Sequence, residues 1–139
     1  MTYCRNMPDM SHESLELETL LDYEVRGSAR YRRSMSLVMV VPVNSSIRLR
    51  ELLGPVLRDS DELFELRSKA VILMGETDRD GALVAIRRYK GACGGEIDLL
   101  FALACFPDDG CNGRELLEAV CRRRDKALTL ERGAVVVAG

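Results

Sequence analysis

The sequence predicts an α/β fold in which a mostly antiparallel central sheet is flanked by helices. Three observations carry that reading. Residues 37–41, 70–73 and 99–104 are long apolar, strand-like runs, and unbroken apolar runs are what strands covered on both faces look like. Between these runs lie segments whose apolar residues recur at helical spacing, Leu17, Leu20, Leu21, Val25 and Ala29 among them. Finally, residues 63–66 and 70–74 flank a polar interruption, Arg67-Ser68-Lys69, which reads as a β-hairpin.

The elements follow in order. Residues 1–12 are polar and expected to be loose, leaving a single domain over residues 13–139. A first helix starts near Ser14 and runs to Arg33, weakened in its middle by Gly27-Ser28 and ending on cations that suit the negative pole of a helix dipole. Residues 36–43 form the first strand, with Pro42 at its end because proline cannot donate to a ladder. Asn44-Ser45-Ser46 caps a helix over residues 47–57, which Gly54-Pro55 is expected to kink. In the hairpin's first arm Leu63 and Glu65 share one face and Phe64 and Leu66 the other. Thr77-Asp78-Arg79-Asp80 caps a helix reaching Ala92, residues 97–106 form a further strand, and Pro107-Asp108-Asp109-Gly110 is a turn by composition. Residues 115–128 form the last helix and residues 134–138 a short strand.

Composition sets limits on function. A 139-residue chain with 47% apolar and 30% charged residues is globular and of single-domain size. A net charge of −2 gives no basic surface for nucleic acid. No apolar run approaches the roughly 20 residues of a membrane span, and no secretory signal is visible, so a cytoplasmic protein is expected. The five cysteines are odd in number and form no Cys-x-x-Cys, and His12 is the single histidine. Reduced thiols, no zinc site and no cofactor are therefore expected.

Arg58-x-x-Asp61, a spacer of five residues, a hairpin turn, an apolar strand, then Glu76-Thr77-Asp78 and a helix form a layout that resembles GGDEF (diguanylate cyclase-like) domains. Glu24, Arg30-Tyr31 and Ser36-Leu37 resemble that family's lead-in to its first strand. Pro107-x-Asp109-Gly110 and Asp125-Lys126-Ala127-Leu128 resemble its later turn and its helix ending. The resemblance spans about residues 17–138 and implies a trimmed nucleotidyl-cyclase-like fold and a place in cyclic di-GMP signalling.

The departures are chemical. Where the family's turn reads Gly-Gly-Asp/Glu-Glu-Phe, this chain has Arg67-Ser68-Lys69-Ala70. Where the family ends its first strand on Asp-Ile-Asp, whose first aspartate is a magnesium ligand, this chain has Val41-Pro42-Val43. Only about fifteen residues separate the first strand from Arg58, so the family helix that contacts guanine is deleted. The family's triphosphate-binding lysine has no clear match. Two-metal nucleotidyl transfer needs carboxylates to hold magnesium between phosphate oxygens, and no enzyme activity is expected.

Two candidate sites remain, each with two readings. Arg67 and Lys69 are either a phosphate-binding pair or a solvated turn that discourages edge pairing. Arg58 and Asp61 match the family's inhibitory cyclic di-GMP motif: arginine can fork onto a phosphate or guanine acceptors, and a carboxylate can accept from guanine donors. Otherwise they are an exposed helix-end pair worth under about 1 kcal/mol. As a ligand site, both side chains should face outward together. Arg122-Arg123-Arg124 is expected to be a solvated face of the last helix, and with Asp125 it repeats the Arg-x-x-Asp pattern away from the hairpin. Asp78-Arg79-Asp80-Gly81 lacks the further oxygen ligands of a calcium loop and reads as a helix cap. The expected function is that of an inactive GGDEF-like regulatory module that binds an unidentified protein, under control of cyclic di-GMP at Arg58 and Asp61. The alternative is a dedicated cyclic di-GMP receptor, an active diguanylate cyclase comes last, and a homodimer is left open.

Overall fold

The structure, a computed structural model, describes residues 11–43, 48–67, 69–94, 97–130 and 134–139, with side chains from Glu16 onward. Its centre is strand β1, Met35–Pro42. The run Leu37-Val38-Met39-Val40 has no polar side chain to turn toward water, and all four residues are fully buried. β1 pairs antiparallel with β3 (Lys69–Gly75) on one side and with β4 (Leu99–Phe106) on the other. β2 (Asp61–Leu66) adds to β3, and the two-residue β5 (Val135–Val136) adds parallel to β4. The sheet order is β2-β3-β1-β4-β5, mostly antiparallel as expected.

Strand alternation sorts the side chains into two cores. Leu37, Met39, Val71, Leu73, Ala102 and Ala104 face α1 (Ser11–Arg30) and α4 (Gly113–Ala127). Val38, Val40, Ile72, Met74, Phe101 and Leu103 face α2 (Leu49–Leu53) and α3 (Arg79–Gly91). α1 buries Leu17, Leu21 and Val25, one side of its cylinder, and Gly27-Ser28 does not break it. The expected loose terminus falls mainly on residues 1–10, outside the described residues. α4 docks on α1 through a close backbone approach: the Gly113 N–H donates to Asp22 Oδ1 at 2.7 Å. A Cβ at Gly113 would meet Glu18 O and the Leu21 Cβ, each at 2.8 Å.

Several boundaries differ from expectation for local reasons. In the hairpin Leu66 pairs with Lys69, so the connection is two residues rather than three and Lys69 belongs to β3. Pro42 closes β1, where a missing donor costs least. The helix expected over residues 47–57 is five residues of α-helix and then a 3-10 turn, Gly54–Val56. Pro55 cannot supply the next α-helical N–H, and the turn tightens. Asn44, Ser45, Ser46 and Ile47 lie outside the described residues. Asp78 caps α3 as expected, accepting from the Gly81 N–H at 2.9 Å.

The solvated face expected for Arg122-Arg123-Arg124 is corrected. Arg122 is exposed, but Arg123 is 6% and Arg124 4% exposed. Arg123 Nη1 donates to the Leu103 carbonyl at 2.7 Å and Nη2 to Asp109 Oδ1 at 2.9 Å, while Arg124 Nη2 donates to Asp125 Oδ1 at 2.7 Å. A long side chain can cover apolar surface with its stem when its head finds acceptors; β4 and the following turn supply them to Arg123, and Asp125 supplies one to Arg124.

Candidate functional site

The sheet has two ends, and the two sets of residues singled out from sequence lie at opposite ends. At one, β1 runs out beside the β2–β3 turn: Val40 pairs with Ala70, and across β3 Ala70 pairs with Glu65. This end carries Val41, Pro42, Val43, Arg67, Lys69 and Ala70; Ser68 lies outside the described residues. The carboxylate that the hairpin does bring here, Glu65, is taken by Arg50, whose backbone N–H and Nε reach it at 3.4 and 3.9 Å. Arg50 Nη2 also donates to the Leu63 carbonyl at 2.9 Å, closing part of the outer edge of β2. Among the described residues no group of His, Cys, Asp and Glu is arranged to hold a metal ion. Valine, alanine and cationic side chains do not fit magnesium, which asks for hard anionic oxygens.

Roughly 17 Å away, at the far end of β2, sit Arg58 and Asp61. They are together, as expected, but they do not both face outward. The Arg58 side chain is 48% exposed and that of Asp61 is 0%. Asp61 Oδ2 accepts from the Arg58 backbone N–H at 3.1 Å and Oδ1 from Arg58 Nη2 at 3.3 Å, while the Asp61 N–H donates back to the Arg58 carbonyl at 3.0 Å. Arg58 Nη2 also donates to Thr77 Oγ1 at 2.8 Å. The carboxylate therefore closes the turn into β2, and the arginine ties that turn to the exit of β3.

The inward aim of Asp61 follows from strand parity. It shares a face with Leu63, which is buried against α2 and α3. Beneath lies Tyr89, fully buried, its hydroxyl without a hydrogen-bond partner. Burial, and then the Asp61 charge, push the Tyr89 pKa up to about 12. On the outer side, Arg58 lines an open cavity of about 300 Å³ with Arg33, Ser34, Glu76, Thr77, Asp78 and Gly81. Arg33 is ion-paired with Glu76 at its rim. The second Arg-x-x-Asp is elsewhere: Arg122 reaches the Gly139 carbonyl and Asp125 is engaged by Arg124.

One cluster escaped the sequence reading. Asp109 accepts from Arg123, from Arg79 at 3.4 Å and from the Cys105 N–H at 2.8 Å. Burial alone would raise its pKa. The hydrogen bonds from Arg123 and Cys105 and the charges of Arg123 and Arg79 outweigh burial and hold it below the ordinary carboxylate value. These three charges join α3, the turn after β4 and α4. Nothing in the sequence brings positions 79, 109 and 123 together, because only the tertiary fold does.

A five-stranded, mostly antiparallel sheet in this order, with helices on both faces, defines the class: the chain has a GGDEF-like fold. Among solved structures, the active GGEEF domain of a diguanylate cyclase from Vibrio cholerae matches with a TM-score of 0.77 at 11% identity, over 89% of this chain and 95% of that one. A microbial GGDEF domain studied for its interaction with cyclic di-GMP matches with a TM-score of 0.74 at 14% identity, over 86% and 89%. The diguanylate cyclase SiaD from Pseudomonas aeruginosa, in complex with its activator SiaC, matches with a TM-score of 0.72 at 14% identity, over 90% of this chain and 58% of that one. At these identities the likeness is one of fold. No family model matches the chain, and no curated protein matches it.

Proposed function

We propose that this chain is a catalytically inactive GGDEF-like domain that works as a regulatory module, binding a protein partner within cyclic di-GMP signalling. One observation carries the reading. Where β1 ends beside the hairpin turn, the described side chains include Val41, Val43, Arg67, Lys69 and Ala70, and the carboxylate that the hairpin brings to this end, Glu65, is bound by Arg50. Such a donor set cannot share magnesium with a triphosphate. SiaD, of which the matching 58% has this fold, was solved in complex with its activator SiaC, a precedent for a partner protein of a chain that carries such a domain. Incubation with GTP and magnesium or manganese should yield no cyclic dinucleotide. Product that grows with protein concentration and disappears with a chelator overturns the inactive reading.

A second reading, control by cyclic di-GMP, is favoured by the half-exposed Arg58 at a cavity shared with Arg33. A phosphate or guanine acceptor would meet the Arg58 guanidinium, whereas the Asp61 carboxylate would serve by holding the turn that presents it. Calorimetric titration with cyclic di-GMP, with GTP as control, tests this. Saturable binding that Arg58→Ala weakens roughly tenfold supports ligand control. Absence of saturable binding at tens of micromolar leaves the protein-interaction reading alone.

A further inference from the structure

Glu76 is held in a backbone conformation that glutamate rarely adopts. Its φ is 50°, and among the described residues the one other non-glycine with positive φ is Arg32, at 53°. Both belong to the cavity of Arg58: Glu76 lines it, and Arg32 directly precedes Arg33, which lines it too. Glycine takes a left-handed backbone without strain, whereas a residue with a Cβ does not, so stability alone would favour glycine at position 76. The residue there instead carries a carboxylate, and that carboxylate engages a cation, the guanidinium of Arg33. The two side chains are 54% and 62% exposed, so the pair is within reach of a solute. Arg33 also lies 5.4 Å over the Tyr31 ring, and Arg58 donates to Thr77, the residue after Glu76. Glu76 is thus ion-paired to one arginine of the cavity and one residue away from a partner of the other.

Two arginines at one small cavity suit a phosphate, which can accept from both. Each already has a carboxylate, but the two carboxylates differ. Asp61 is buried and closes the turn that presents Arg58, whereas Glu76 is exposed and meets Arg33 at the rim. A carboxylate and a phosphate offer a guanidinium similar oxygen pairs, so a ligand phosphate and Glu76 compete for Arg33. We propose that Glu76 is a built-in competitor in this cavity: it occupies Arg33 where a phosphate of the ligand would, and the ligand gains that arginine only by displacing the Glu76 carboxylate. The inference rests on the reading of this cavity as a cyclic di-GMP site. It makes Arg33 a weak contributor for as long as Glu76 holds it. An exposed ion pair is weak, so the competitor tunes affinity and does not close the site.

Calorimetric titration of the full chain with cyclic di-GMP tests this. Glu76→Gln keeps the size of the side chain and removes its charge, and should tighten binding roughly fivefold, the worth of one exposed ion pair that no longer has to be broken. Glu76→Gly, suited to the backbone at that position, should do the same. Arg33→Ala should weaken binding only about twofold in the unaltered chain but about tenfold when Glu76 is already glutamine, because the two residues act through each other. Asp80→Asn removes an exposed charge outside the cavity lining and should change affinity by less than about twofold. Circular dichroism on each variant confirms that the fold is kept. Binding by Glu76→Gln where the unaltered chain shows none also supports the proposal. If the unaltered chain binds and Arg58→Ala weakens it while both Glu76 variants are silent, the competitor is overturned and the ligand site stands. Equal gains from Glu76→Gln with and without Arg33, or from Asp80→Asn, likewise overturn it, since general repulsion is then the cause. If neither the unaltered chain nor Glu76→Gln binds at tens of micromolar, the competitor and the cyclic di-GMP site fall together.

Discussion

A carboxylate held between two guanidiniums contributes to the protein's response to acid. Asp109 binds protons less readily in the folded state than in the unfolded one. Its contribution to stability is therefore fully present above its unfolded pKa and is lost as pH falls through the lower, folded value. Denaturant unfolding followed from neutral pH to below about pH 4 should show stability declining in acid. Asp109→Asn should be less stable by about 3 kcal/mol at neutral pH, because Arg123 is then buried beside no charge, and should lose less on acidification. Tyr89 presents the opposite case, a buried hydroxyl with no partner. Tyr89→Phe should be neutral or stabilising by up to about 1 kcal/mol, which the same unfolding measurement reads. Asp61 was expected to face outward and is buried instead. The alternation that aims Leu63 inward aims Asp61 inward too, and extending it by two positions finds the buried carboxylate. The burial of Arg123 was not legible, because the Leu103 carbonyl and Asp109 come within reach only once α4 lies on β4.

The elements depend on a few backbone contacts more than on propensity. α1 and α4 meet where Gly113 lets one backbone touch the other. Gly113→Ala should drive the helices apart and cost about 1–3 kcal/mol, measured as a lower melting temperature with far-ultraviolet dichroism unchanged below the transition. The buried strands were readable from composition, since β1, β3 and β4 carry long apolar runs and form the middle of the sheet. The hairpin was readable as well, though its connection is tighter because Lys69 pairs with Leu66. α2 was overestimated: its apolar spacing continues past Pro55, and periodicity records which face is apolar without recording that proline removes a hydrogen bond. The candidate ligand site was legible as a position but not as a geometry. Arg-x-x-Asp spacing places Arg58 and Asp61 at the entry to β2, and the folded turn leaves Arg58 reaching out with Asp61 tucked under it.

At the scale of the whole molecule, the sheet order separates the two chemistries that sequence had placed side by side. The hairpin turn and the Arg58 turn are the two ends of one strand, so a charge change at the turn should leave events at Arg58 untouched. Lys69→Glu should alter any affinity for cyclic di-GMP by less than about twofold, the expectation for distant, independent sites; a larger change in calorimetry would mean that the two ends communicate. The order itself was not legible from hydrophobic pattern, and the resemblance to the GGDEF layout implied a mostly antiparallel sheet without giving the order of its strands. That order has a consequence for the chain during its synthesis. The central strand β1 is made first, and both of its neighbours are made later: β3 after the hairpin, and β4 only once residue 106 has been added. Until then the nascent chain holds an apolar strand with an open edge, the kind of surface that chaperones grip and that self-associates when they do not. A polypeptide halted just before Leu99 should be found bound to chaperone or in the pellet, whereas one that reaches the end of β4 can close its sheet on both sides of β1.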